Sequence, residues 1–303
     1  ISYELATGLD IPLETDDTED FKLVMQRFHN LLKQAAFKGK VVFIVDALDQ
    51  LDDSIHRAQS LEWLPGTLPC KFIVSVNTNT RAEKILQLRQ RVAFLQVSAL
   101  GPLEREKLIR NTLAAYHKKL DERPMNNQMR VLVRKTEAGK PLYLKIACEE
   151  LRVFGVYEQL SNKIKELGSN IPKLIEGVLQ RIERDHGADV VQLVLCLLAT
   201  SKDGMLEIEA QAIAKLDETK WTQLYRALSP FLQITGHVDT KAVLALSHDQ
   251  FVVAIVKRYL KKAKVFPTTH QAWANYYTKS CKVGNEWNLG QLRALSRLPF
   301  HLH

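Results

Sequence analysis

Cysteine is scarce in this chain: Cys70, Cys148, Cys196 and Cys281 are the four in 303 residues. Their intervals of 78, 48 and 85 residues exclude close-spaced zinc patterns and argue against a disulfide scaffold. Dispersed cysteines in apolar sequence read as buried thiols of a reducing compartment. Long apolar runs are also missing. The longest candidate, Val190 to Ala199, is broken by Gln192 and falls short of the ~20 residues a membrane span needs. The opening Ile1-Ser2-Tyr3-Glu4 lacks the basic start and apolar block of a signal peptide. These absences predict a soluble protein with no membrane partner, cytoplasmic, with a nuclear location also open. No internal repeat or low-complexity segment occurs, which excludes a solenoid or propeller within the chain.

What is present is an ordinary globular composition, 46% hydrophobic and 25% charged, with 42 basic against 34 acidic residues and a formal charge of +8. At about 150 residues per domain the length suggests two domains. The positive balance permits nucleic-acid contact without demanding it. Charge is unevenly spread: the first twenty residues hold seven acids and no base, while Lys257, Arg258, Lys261, Lys262 and Lys264 form a basic cluster near the end.

The first third reads as α/β. Apolar residues at Phe21, Val24, Met25, Phe28, Leu31 and Leu32 have helical spacing, and Gly39 ends that helix. Val41 to Val45 is a continuous β-branched run without alternation, the pattern of a strand covered on both faces in a parallel sheet. Phe72 to Val76 and Val92 to Val97 repeat the theme with helical material between, so three parallel strands are predicted. Asp46 and Asp49 follow directly on the first strand. A carboxylate there lies at the sheet's carboxyl edge, where α/β folds bind ligands. It suits Mg²⁺ in a P-loop nucleotidase, and equally a cap on the next helix. The phosphate-cradling G-x-x-x-x-G-K-[ST] is absent. Either this is no nucleotidase, or its first strands precede Ile1.

From Leu103 the period becomes helical, with segments near 103–121, 124–134, 141–154 and 170–187. Leu174, Ile175, Val178, Leu179 and Ile182 form a core-facing stripe. Helices at 189–199, 206–215 and 217–228 then precede two short strands, 231–235 and 242–247, with Gly236 to Asp239 as the turn, and another helix follows from Val252 to Leu260. Three helices and a hairpin outline a winged helix. As a DNA reader its recognition helix would be 217–228, but Asp217 and Glu218 at its start repel phosphates.

The order Asp46-Ala47-Leu48-Asp49-Gln50 after a strand, Gly139-Lys140-Pro141-Leu142-Tyr143-Leu144, and Leu246-Ser247-His248-Asp249 after a winged helix resembles the STAND class of P-loop NTPases, more narrowly NACHT domains. The segments 99–103, 126–130, 157–159, 185–187, 293–295 and 298–302 are similar to large NACHT-bearing scaffold proteins. The resemblance implies an α/β part followed by an α part: an incomplete parallel P-loop NTPase sheet over 1–101, a helical domain over 102–187, a winged helix over 188–264, and the start of a helical region over 265–303. It implies Asp46 as the Mg²⁺ carboxylate, Asp49 as the catalytic acid that positions water, Pro141 against adenine, and His248 on the β-phosphate of ADP. Asn77 joins that nucleotide-facing set. It stands where many NACHT domains have Arg, and Gln50 stands where many have Glu, so slow or absent hydrolysis is expected.

ATP or ADP and Mg²⁺ are the implied cofactors, both requiring a P-loop upstream. The implied partners are proteins of a ribonucleoprotein or vault-like assembly, with RNA held by segments outside this chain. A nucleotide-dependent conformational or assembly switch is the leading expectation. A degenerate interaction scaffold and a DNA-binding winged helix are the alternatives.

Overall fold

A computed structural model of the chain describes residues 2–11, 20–51, 53, 57–67, 70–283, 286–288 and 290–302. The chain divides into two compact units, 1–97 and 98–303.

The first unit begins with α1 (Ser2–Leu9) and α2 (Phe21–Lys38). Asp20 starts α2 by accepting a hydrogen bond from the Lys22 N–H at 2.9 Å, which satisfies one of the helix's orphan donors. Strands β1 (Val42–Val45) and β2 (Lys71–Val74) pair in parallel, Val42 opposite Lys71 and Val45 opposite Val74. Phe28 and Leu32 of α2 pack on Phe43 and Cys70, and Phe43 stacks on Phe72 with centroids 4.6 Å apart. After β2, α3 (Arg81–Leu88) is capped by Thr80 and buries Ala82 and Leu86 against Leu48, Leu61 and Leu64.

Two expectations fail in this unit. Helix α2 lies against one face of the strands, while Val42, Ile44 and Ile73 on the other face are exposed, Ile44 by 79%. Residues 92–97 are not a strand, and Leu95 and Val97 are each 91% exposed. An apolar β-branched run specifies extended backbone, but a strand exists only by hydrogen bonding to a neighbour. Among the described residues, 92–97 has none.

The second unit opens with α4 (Pro102–Ala114), α5 (Gln128–Val133), α6 (Pro141–Val153), α7 (Leu160–Glu166) and α8 (Ile171–His186). Pro102 and Pro141 occupy first helical turns, where the missing N–H leaves no bond unmade. Asn170 caps α8, whose predicted stripe is buried. Inside, Glu150 of α6 takes a two-pronged contact from Arg181 of α8 at 2.7–3.1 Å, with Lys163 at 3.6 Å. A carboxylate only 2% exposed needs such partners to offset its desolvation.

Helices α9 (Ala188–Thr200), α10 (Glu207–Ala214) and α11 (Glu218–Leu228) follow. A three-stranded antiparallel sheet accompanies them, in the order β3 (Met205–Leu206), β5 (Lys241–Leu246), β4 (Leu232–Val238). The β4–β5 turn differs from expectation. The strand continues through Gly236, His237 and Val238, and the reversal is made by Asp239 and Thr240, both at positive φ (47° and 68°). Two such residues match the right-handed twist of a tight hairpin. Then come α12 (Asp249–Ile255), a π-helical turn (Val256–Leu260), α13 (Val265–Cys281), the short β6 (Lys282–Val283) and β7 (Glu286–Trp287), and α14 (Leu292–Leu302). One core cluster runs from Ile109 to Leu298 through this unit. All four cysteines are free and buried; burial pushes the Cys148 thiol up to about 12 and Cys196 up to about 11.

Candidate functional site

In the first unit, Asp46 leaves the end of β1 and the backbone turns at Ala47 in the left-handed region (φ 54°). That bend lets Leu48 bury its side chain and puts Asp49 in a single 3₁₀ turn, Leu48–Gln50. The parallel register brings the residues after β2 alongside. Ser75 Oγ donates to Asp46 Oδ1 and accepts from the Ala47 N–H at 2.7 Å. Asn77 grips Asp49 with both of its donors, backbone N–H to Oδ1 at 2.9 Å and Nδ2 to Oδ2 at 2.8 Å. Partial burial alone would raise the Asp49 carboxyl, but the bonds from Asn77 outweigh it and hold the group below its ordinary 3.8. Asp49 is therefore an ionised, oriented acceptor. Asp46 is exposed, and its Oδ2 has no hydrogen-bond partner among the described residues. Mg²⁺ takes one or two carboxylates and fills its shell with water and phosphate oxygens, so Asp46 fits that ion.

In the second unit, Pro141 and His248 line one cleft of about 460 Å³, together with Glu137, Lys140, Pro172 and Gln250. Pro141 is there because it opens α6, and His248 because it caps α12. The His248 Nδ1 accepts the Gln250 N–H at 3.2 Å, so in the neutral ring Nε2 carries the proton as a donor. Glu137 accepts from Lys140 Nζ and from the Ile171 N–H, each at 2.6 Å. Those two bonds, the Lys140 bond first, hold its carboxyl below the ordinary value. An imidazole donor and two prolines suit a ligand with hydrogen-bond-accepting oxygens and a flat apolar portion, while Lys140 and Glu137 neutralise each other.

The structure thus groups Asp46, Asp49 and Asn77 in the first unit, and Pro141 and His248 in the second. Sequence reading missed Ser75 and Glu137, and gave Lys140 no role of its own. Strand register places Ser75, and nothing local to its own sequence signals it. Lys140 was visible beside Pro141, but its ion pair to Glu137 was not. A larger cleft of about 600 Å³, lined by Arg105, Met129, Arg130 and Arg134 among others, holds none of the expected site residues. Its Arg105 is already bound to the carbonyls of Leu100 and Val133.

Aligned with known proteins, the chain is 31% identical over 290 residues to telomerase protein component 1 of Mus musculus, covering 86% of this chain. It is similar to telomerase protein component 1 and to NACHT proteins. A TPR repeat-containing protein of Dictyostelium discoideum is 26% identical over 89% of the chain. Human NACHT domain- and WD repeat-containing protein 1 is 24% identical over all of it. These relatives are far longer: the chain spans 11%, 16% and 22% of their respective lengths. No family model matches the chain. No helix among the described residues is long and apolar enough to cross a membrane.

Proposed function

We propose that this chain is part of a NACHT nucleotide-binding module of the P-loop NTPase type, which uses ATP and ADP to switch the conformation or assembly of a large ribonucleoprotein scaffold. The observation that carries this reading is the convergence of Pro141 and His248, far apart in sequence, on one cleft. The ribonucleoprotein setting rests on the name of the telomerase relatives alone. In this reading α9 to α11 with the antiparallel sheet form the winged helix. The chain breaks into an α/β core (1–101), a helical domain (102–187), that winged helix (188–264) and the start of a further helical region (265–303).

Asp46 would hold Mg²⁺, which when bound neutralises charge on phosphate oxygens. Pro141 would pack on the adenine, and the Nε2–H of His248 would donate to a phosphate. Asp49 orients water through its remaining lone pairs. A carboxylate held ionised by two donors is a poor proton acceptor, so hydrolysis is slow. A switch needs only different affinities of its two conformations for ATP and ADP.

A second reading, a scaffold that has lost nucleotide, is favoured by one feature: Asp46 and Asp49 already have partners in Ser75 and Asn77. Duplex-DNA reading by α11 has less in its favour, because Lys220 is tied to Asp217 at 3.5 Å at the start of that helix.

Calorimetric titration of the full-length protein with Mg·ATP and Mg·ADP separates the first two. Asp46→Asn should weaken Mg·ATP and His248→Ala should weaken Mg·ADP, each about tenfold or more, the size of a charge-assisted contact. Absence of binding by the unmutated protein sinks the switch and leaves the scaffold.

A further inference from the structure

The basic cluster found in the sequence has no part in the nucleotide reading, and its surroundings point elsewhere. Five basic residues lie between 257 and 264, on the π-helical turn and the bend that leads into α13. One of them is spent: Arg258 binds Glu183 through two nitrogens, at 2.6 and 2.9 Å, and reaches Glu176 at 3.4 Å. That contact absorbs the two acids of α8 facing the turn, and Tyr259 also donates its hydroxyl to Glu183. The Glu183 carboxyl is held low as a result, chiefly by Arg258. The other four, Lys257, Lys261, Lys262 and Lys264, are exposed. Among the described residues Lys257, Lys261 and Lys264 have no side-chain hydrogen bond or ion pair, and the ammonium of Lys262 sits over the Tyr259 ring at 5.8 Å.

Next to these lysines in the chain is an exposed aromatic ring. Phe266, in the first turn of α13, is 51% exposed and rests on His270 with centroids 4.4 Å apart, so part of its surface is open. The N-terminus of α13 itself has no side-chain cap, because the residue there is Lys264, in the left-handed region at φ 70°. The positive end of a 17-residue helix therefore adds to the lysines' field.

Exposed point charges close in the chain to an open aromatic face are the two parts of a single-stranded nucleic-acid platform. Lysines track phosphates without reading sequence, and any base can stack on the ring. We propose that Lys257, Lys261, Lys262, Lys264 and Phe266 form a sequence-independent binding surface for single-stranded nucleic acid. The ammonium groups contact the phosphate backbone, and Phe266 stacks a base. Arg258, the one guanidinium of the cluster, is engaged and does not read base edges. The surface shares no residue with Asp46, Pro141 and His248, and its test does not use nucleotide binding.

The test is fluorescence anisotropy of a labelled 12-nucleotide oligouridine titrated with the 303-residue chain across a salt series. Four phosphate contacts on a single strand give a slope of log affinity against log salt of about −2.8. Replacing Lys257, Lys261 and Lys264 together by Gln should bring that slope to about −0.7. Phe266→Ala should weaken binding about tenfold with the slope unchanged. All of these side chains are exposed, and an unchanged melting temperature verifies folding. Oligothymidine DNA should bind within a few-fold of oligouridine, because neither contact uses the 2′-hydroxyl. The proposal is overturned if the lysine variant keeps the wild-type slope or Phe266→Ala binds like wild type. It is overturned equally if duplex RNA binds as tightly as the single strand, or if phosphatidylserine vesicles bind and oligouridine does not.

Discussion

Asn77 shows how a single side chain sets the chemistry of its neighbour. Arginine at that position would bring charge; asparagine brings a neutral amide whose Nδ2 joins the backbone N–H in donating to Asp49. Asn77→Ala removes the side-chain bond and should raise the Asp49 pKa, read by carboxyl-carbon NMR titration. The sign follows from linkage. A carboxyl whose folded pKa lies below its unfolded value stabilises the fold above about pH 4, and that contribution disappears as pH falls through the folded value. The variant should therefore lose less stability than wild type on acidification below pH 4. A steeper acid loss in the variant counts against the clamp. Much at this scale was legible beforehand: the strand-end position of Asp46 and the offset of Asp49 follow from the run Val41 to Val45 alone. The Asp49–Asn77 bond was not legible, since it depends on the register that sets Val45 beside Val74.

At the level of elements, the docking of α14 on α13 carries a buried titratable group. His301 is 4% exposed, stacks on Trp273 and shares a hydrogen bond with His270, Nδ1 to Nδ1 at 3.1 Å. Burial, reinforced by the neighbouring His270, lowers His301 to about 4. Both folded and unfolded states are neutral here at pH 7. As pH falls below about 6.5 only the unfolded state takes the proton, so stability drops by about 3 kcal/mol by pH 4. Melting temperatures measured from pH 7 to pH 4 should fall, and His301→Phe, which keeps the ring and removes the titration, should flatten the curve. Equal slopes for the two proteins rule the histidine out. Element prediction worked where pattern and partner coincide. The stripe from Leu174 to Ile182 has an amphipathic period, and its core lies in the same segment of chain. It failed for 92–97, where period says nothing of a partner strand, and at the hairpin, where Gly236 drew attention from the Asp239-Thr240 pair that makes the turn. The two-residue β3 was too short to show any period at all.

Across the molecule the two units differ in how much apolar surface they hide. Among the described residues, the second is built on one continuous core, while the first rests on three small clusters of four or five buried residues and leaves Val42, Ile44 and Ile73 in water. Burial is the main favourable term in folding, so the first unit should open at lower free energy. Limited proteolysis should cut within 1–97 first and leave a resistant fragment starting near Ser98, identified by mass. Early cleavage inside 109–298 contradicts this order.

The buried cysteines turn that difference into a chemical clock. Cys70 sits in the first unit and Cys148, Cys196 and Cys281 in the second, all shielded from reagent while folded. With every thiol covered, an alkylating probe at neutral pH marks only opened molecules. The labelled site identifies which unit opened, and the native sequence already carries the full set of reporters.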